Sequence, residues 1–128
     1  MVQVVLVMLG GAIGSGLRFG VSSWVQHSVL HSFPLGILSV NVIGSFFIGF
    51  CWSMAEAFHF SAPTRAFLFT GLFGGFTTFS SFALDTSALF RNGELKLALL
   101  NIVASNALGL IAVFAGLYVG KQCVGLLK

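Results

Sequence analysis

The stretch Gly74-Gly75-Phe76-Thr77-Thr78-Phe79-Ser80-Ser81-Phe82 sets a helix-breaking glycine pair, a run of hydroxyls and three aromatics inside an apolar segment long enough to cross a bilayer. Hydrocarbon tolerates loosened backbone only where protein or a water-filled path covers the freed carbonyls. Polar, broken sequence at membrane depth is therefore a candidate conduction or binding site.

Composition fixes the surroundings. The 128 residues are 57% hydrophobic and 7% charged, with a mean hydropathy of +1.03, far below the roughly one-quarter charged residues that cover a soluble domain. A spanning helix needs about 20 mostly apolar residues, and polar punctuation divides the chain into four, at roughly 3–25, 35–58, 64–90 and 95–120. The breaks are Gln26-His27-Ser28 through Pro34, His59-Phe60-Ser61-Ala62-Pro63, and Arg91-Asn92-Gly93-Glu94. This predicts an all-α membrane protein, residues 1–128 forming a single four-helix transmembrane domain with its third helix broken near the middle. The N-terminus has no positive charge ahead of its apolar run and no small-residue cleavage site, so Met1 onward is expected to belong to the first span. Cys51 and Cys123, without metal-like spacing, read as packing residues.

Four spans put the N-terminus, the 59–64 loop and the C-terminus on one side, with Arg65, Lys121 and Lys128; the opposite side has Arg18, Arg91 and Lys96. Orientation follows the Lys and Arg excess on cytoplasmic loops, and three against three gives no instruction. The expected consequence is insertion both ways up and an antiparallel homodimer, two inverted copies of one unit. Small residues four apart (Gly10/Gly14, Gly16/Gly20, Ser45/Gly49, Gly71/Gly75, Gly116/Gly120) let backbones approach, within a chain or between chains.

Several polar residues lie within the spans. Asn41 sits about two turns into the second, with Ser45 one turn later. Its amide fits two roles, gluing helices together or offering donors to an anion without a fixed positive charge. Thr78, Ser81 and Asp85 share a face, with Phe79 and Phe82 on a neighbouring one, and Asn101 and Ser105 stand four apart on the last helix. These could form a dotted polar line, or bond their own helix carbonyls. Aromatic ring edges are positive, so Phe79 and Phe82 can touch an anion or simply pack. Freed carbonyls around Gly74 to Thr77 suit a hard monovalent cation; on a two-fold axis, two per chain make a four-oxygen cage for Na⁺. Arg18 either snorkels to the interface, or caps helix carbonyls and tunes the potential at a pore mouth. His27, His31 and His59 read as surface residues. No nucleophile–base pair, phosphate loop, metal cluster or long basic patch is present, so neither an enzyme nor a nucleic-acid partner is expected.

These residues resemble the CrcB/Fluc family of small dual-topology fluoride channels over essentially the whole chain. The resemblance rests on Gly10-Gly11 with Gly14 leading to Arg18, on Gly36 followed by Ser39-Val40-Asn41, and on Thr70-Gly71-Leu72-Phe73 running into the stretch quoted above. It implies an antiparallel dimer in the cell membrane with two narrow pores, passing F⁻ passively and rejecting Cl⁻ so as to relieve fluoride toxicity. The family's pore asparagine falls on Asn41, its ring-edge phenylalanines on Phe79 and Phe82, its hydroxyls on Thr78 and Ser81, and its last-helix polar track on Ser105. Its central structural Na⁺ would be held by backbone carbonyls of Gly74 and Thr77 from both subunits. Ser81 stands where the common pattern has threonine, and Ala83-Leu84-Asp85 where it has Ser-Ala-Glu. The competing reading is a small dual-topology proton-coupled exporter, which would need a mid-membrane carboxylate; Glu56 and Asp85, the only acids in the spans, lie toward helix ends. A non-transporting assembly subunit is a third.

Overall fold

A computed structural model describes residues 1–29 and 32–128; His31 lies outside them. Among the described residues, four helices are long and apolar enough to cross a membrane: α1 (Val2–Ser28), α2 (Leu35–Ala57), α3 (Ala62–Arg91) and α4 (Leu95–Leu127). α1 outruns its expected end because Gln26, His27 and Ser28 do not break a helix. His27 Nδ1 pairs with the Ser23 carbonyl at 2.7 Å and Ser28 Oγ donates to that of Trp24 at 2.8 Å. Gln26 ties the end of α1 to the start of α2, donating to the Phe33 carbonyl at 3.2 Å and accepting from the Gly36 amide at 3.0 Å.

α2 and α3 both end in a left-handed residue whose successor's amide reaches back across the last turn. His59 (φ 50°) places the Phe60 amide 3.0 Å from the Ala55 carbonyl, and Gly93 (φ 77°) places that of Glu94 2.9 Å from Leu89. Arg65 adds a second donor to the Ala55 carbonyl at 3.0 Å while its guanidinium lies 5.2 Å over the Trp52 ring. Ser32 Oγ donates to Glu94 Oε2 at 3.1 Å, so the α1–α2 and α3–α4 connections meet at one end of the bundle, as four spans require.

Packing divides into two pairs. α1 lies along the first half of α3 and α2 along α4. Glycine makes both approaches possible: a Cβ on Gly14 would overlap the Leu72 carbonyl, one on Gly49 the Val113 carbonyl, and one on Gly116 the Phe46 carbonyl. Ser53 Oγ donates to the Leu117 carbonyl at 3.0 Å across the second pair. Four of the five small-residue pairs thus serve contacts within the chain, whereas Gly16 and Gly20 have nothing within 4 Å of a built Cβ.

The bend in α3 falls later than the glycines suggest. Ala66–Phe73 is a wide-turned stretch with π-type bonding, Gly74–Phe76 is α-helical, and the chain leaves helical geometry at Thr77 (ψ 158°) and Thr78 (φ −153°) before resuming as Phe79–Arg91. Gly75 is kept small by Gly11, whose carbonyl oxygen would lie 2.6 Å from a Cβ. Gly75 is packing surface and Gly74 an exposed helical residue; the threonines are the break.

Candidate functional site

Two side chains build the break. Thr78 caps Phe79–Arg91, its Oγ1 accepting from the Ser81 amide at 3.2 Å and donating to Ser81 Oγ at 3.1 Å. Asn41 then clamps the Thr78 peptide from α2, accepting from its amide at 2.8 Å and donating to its carbonyl at 3.0 Å. The glue and donor roles of Asn41 meet in one residue, since an amide nitrogen carries two protons and Thr78 takes one.

That clamp has an electrostatic consequence. In a continuing helix the Thr78 amide would bond the Gly74 carbonyl and the Ser81 amide that of Thr77. Here the first goes to Asn41 and the second to the Thr78 hydroxyl. Gly74 and Thr77, the residues expected to hold Na⁺, are among those whose usual donors the break diverts, and uncharged carbonyl oxygens are the donor set a hard monovalent cation takes. On the other side of the break, the N-terminus of Phe79–Arg91 presents amides and the positive end of a helix dipole. One interruption thus leaves carbonyl oxygens on one side and helix-start amides on the other.

Beside it runs a groove of about 300 Å³ lined by Asn41, Ser45, Ile48, Thr77, Thr78, Phe79, Phe82, Ser105 and Asn106. None of these carries a charge. Asn41, Thr78, Phe79, Phe82 and Ser105 are brought together here, and Ser81 joins through Thr78. The Phe79 and Phe82 rings sit 5.5 Å apart, tilted by 50°, and Phe79 is 78% exposed on the single chain. Thr78 is buried.

Asp85 does not continue this face. It lines a separate cleft of about 420 Å³ at the end of the bundle with Ser22, Gln26, His27, Ser32 and Asn92. Arg18 is half-buried on α1, one turn before Ser22 and away from the groove lining. Ala83 and Leu84 are exposed.

Ser45 and Asn106 in the lining, and Thr86 behind it, are residues that sequence reasoning did not place. Ser45 carried a signal, standing one turn after Asn41. Thr86 carried none: it is one residue off the face read through Thr78, Ser81 and Asp85, and only the α3–α4 contact reveals that it accepts from Asn101 Nδ2 at 2.9 Å.

Fold and groove define a small multi-pass membrane protein with an uncharged, donor-bearing groove at a helix break. Residues 5–117 match the family model described as CrcB-like protein, Camphor Resistance (CrcB). The chain belongs to that family. It is 70% identical over 128 residues, the whole of both chains, to a Parabacteroides distasonis protein named Fluoride-specific ion channel FluC. Proteins of the same name from Agrobacterium fabrum and Thermus thermophilus are each 46% identical over 123 residues, covering 95% and 96% of this chain and 98% and 97% of their own.

Proposed function

We propose that this chain is a fluoride-selective ion channel, giving passive, electrogenic export of F⁻ across the cell membrane. What carries the reading is the full-length 70% identity to a relative bearing that name, and the groove's chemistry agrees with it. Fluoride is small and strongly hydrated, so a pathway must replace its water with closely spaced donors. Asn41 Nδ2 and the positive edges of Phe79 and Phe82 are such donors, the Ser105 hydroxyl becomes one when its proton turns from Asn101 to the groove, and a groove without a fixed cation binds weakly enough to release the ion. A channel, unlike an enzyme, asks no bond-making of these residues. The relatives' names give the exporter reading no support.

Two further parts belong to the proposal. The working unit is an antiparallel homodimer, because the Lys and Arg balance gives no orientation and Phe79, 78% exposed, needs a second wall to face across a narrow path. Gly74 and Thr77 carbonyls from both copies would hold a structural Na⁺, which when bound neutralises the carbonyl ends of the two breaks.

Fluoride-electrode and chloride-electrode efflux from liposomes holding the purified protein test this together. Rapid fluoride release with chloride retained is the expected result. Equal release of both ions, or of neither, would remove the proposal.

A further inference from the structure

We propose that Asn101 and Thr86 form a hydrogen-bond toggle that sets whether Ser105 turns its hydroxyl proton toward an anion in the groove. This rests on the reading that fluoride passes Ser105. Neither Asn101 nor Thr86 lines the groove, and they are 2% and 7% exposed. Both are positioning residues.

The protons can be counted. Thr86 Oγ1 donates to the Phe82 carbonyl at 2.8 Å, so what it receives from Asn101 at 2.9 Å is an amide N–H. Asn101 therefore turns its oxygen to Ser105, whose Oγ donates to it at 3.3 Å. A serine hydroxyl has one proton. With that proton committed inward, Ser105 shows the groove only lone pairs, which repel an anion.

Turning the Asn101 amide end over end reverses every link. Its nitrogen then donates to Ser105 Oγ, freeing the serine proton for the groove, and its oxygen accepts from Thr86 Oγ1. The Phe82 carbonyl keeps the Thr86 backbone amide, its ordinary helical partner. Asn101, Thr86 and the Phe82 carbonyl keep partners in both arrangements, and a fluoride in the groove supplies the one for the freed serine proton, which brings the two close in free energy. The rotation conserves volume, as a site this buried requires. The bond that must break first, at 3.3 Å, is the longest and weakest of the three. An arriving fluoride, accepting the serine proton, selects the reversed arrangement.

Fluoride efflux from liposomes, measured on the full-length protein and normalised to dimer recovered, tests this through a double-mutant cycle. Asn101→Leu, near in volume but unable to pair, leaves the Ser105 hydroxyl to bond the backbone carbonyl of residue 101 one turn back, and is expected to lower flux about tenfold, as Ser105→Ala does. The double variant is expected to be no slower than Ser105→Ala alone, since Asn101 acts only through Ser105. Asn101→Asp, an acceptor at both oxygens, holds the serine proton permanently and falls below Asn101→Leu. Losses that multiply to about a hundredfold in the double variant, or wild-type flux in Asn101→Leu, overturn the toggle. If Asn101→Leu yields no dimer, the same cycle runs from Thr86→Val, with Thr86→Ser expected at wild-type flux; multiplication there overturns it equally. Wild-type flux in Ser105→Ala is a distinct result: it removes the groove reading itself, and the toggle with it.

Discussion

Replacing Asn41 with leucine removes the clamp while nearly conserving its volume. Two bonds go, from the Thr78 amide at 2.8 Å and to the Thr78 carbonyl at 3.0 Å. In the broken form the Thr78 amide is then left without a partner, whereas a helix that closes over the break gives it the Gly74 carbonyl and gives the Thr78 carbonyl the Phe82 amide. One buried group left unsatisfied costs about 1–3 kcal/mol, so the share of chains with a properly broken α3 falls by about 5- to 150-fold at 1.4 kcal/mol per factor of ten. Fluoride efflux per reconstituted dimer is predicted to drop by that factor, and sensitivity to Na⁺ weakens with it because Gly74 no longer offers its oxygen. Asn41→Asp fares worse, accepting from the Thr78 amide but unable to donate to its carbonyl and placing a negative charge beside the anion's route. The assay is efflux measured with a fluoride electrode on protein of matched dimer yield. Wild-type flux in Asn41→Leu would refute the clamp.

Three other predictions follow from the same geometry. Phe79→Ile or Phe82→Ile removes a ring edge from the groove and should cut fluoride flux far more than dimer yield; unchanged flux in both variants would leave the rings as packing alone. Gly14→Ala forces a methyl into the Leu72 carbonyl and should sharply reduce folded yield by gel filtration, whereas Gly125→Ala, with nothing within 4 Å, should match wild type; equal yields would contradict the close α1–α3 contact. Replacing Na⁺ with N-methyl-D-glucamine throughout purification should lower the dimer's thermal stability and its flux, with recovery on adding Na⁺ back; indifference to the exchange would argue against a cation held by Gly74 and Thr77.

The spans were legible because lipid imposes a length and an apolar composition that local sequence must satisfy. Their ends were less so. α4 continues to Leu127 through Lys121 and Gln122, which mark an interface without breaking hydrogen bonds, and α1 continues through Gln26 to Ser28 for the same reason. Gly74-Gly75 looks like a breaker in one dimension, yet both stay helical and Gly75 is a helix–helix contact in three; the interruption sits at Thr77-Thr78 because a capping hydroxyl and a clamp from another helix reward it there. Asn41 and Ser105 were visible as costly polar groups at membrane depth. Thr86 was hidden, since a threonine can satisfy itself on its own helix, and only the tertiary contact with Asn101 gives it a second partner.

Recording the reversal potential of the reconstituted protein in a planar bilayer, under opposed fluoride, chloride and pH gradients, tests uncoupled fluoride conduction most directly. Reversal at the fluoride equilibrium potential, unmoved by chloride or pH, is the predicted result. A reversal that shifts with either gradient, or an electrically silent membrane that nonetheless loses fluoride, would contradict it.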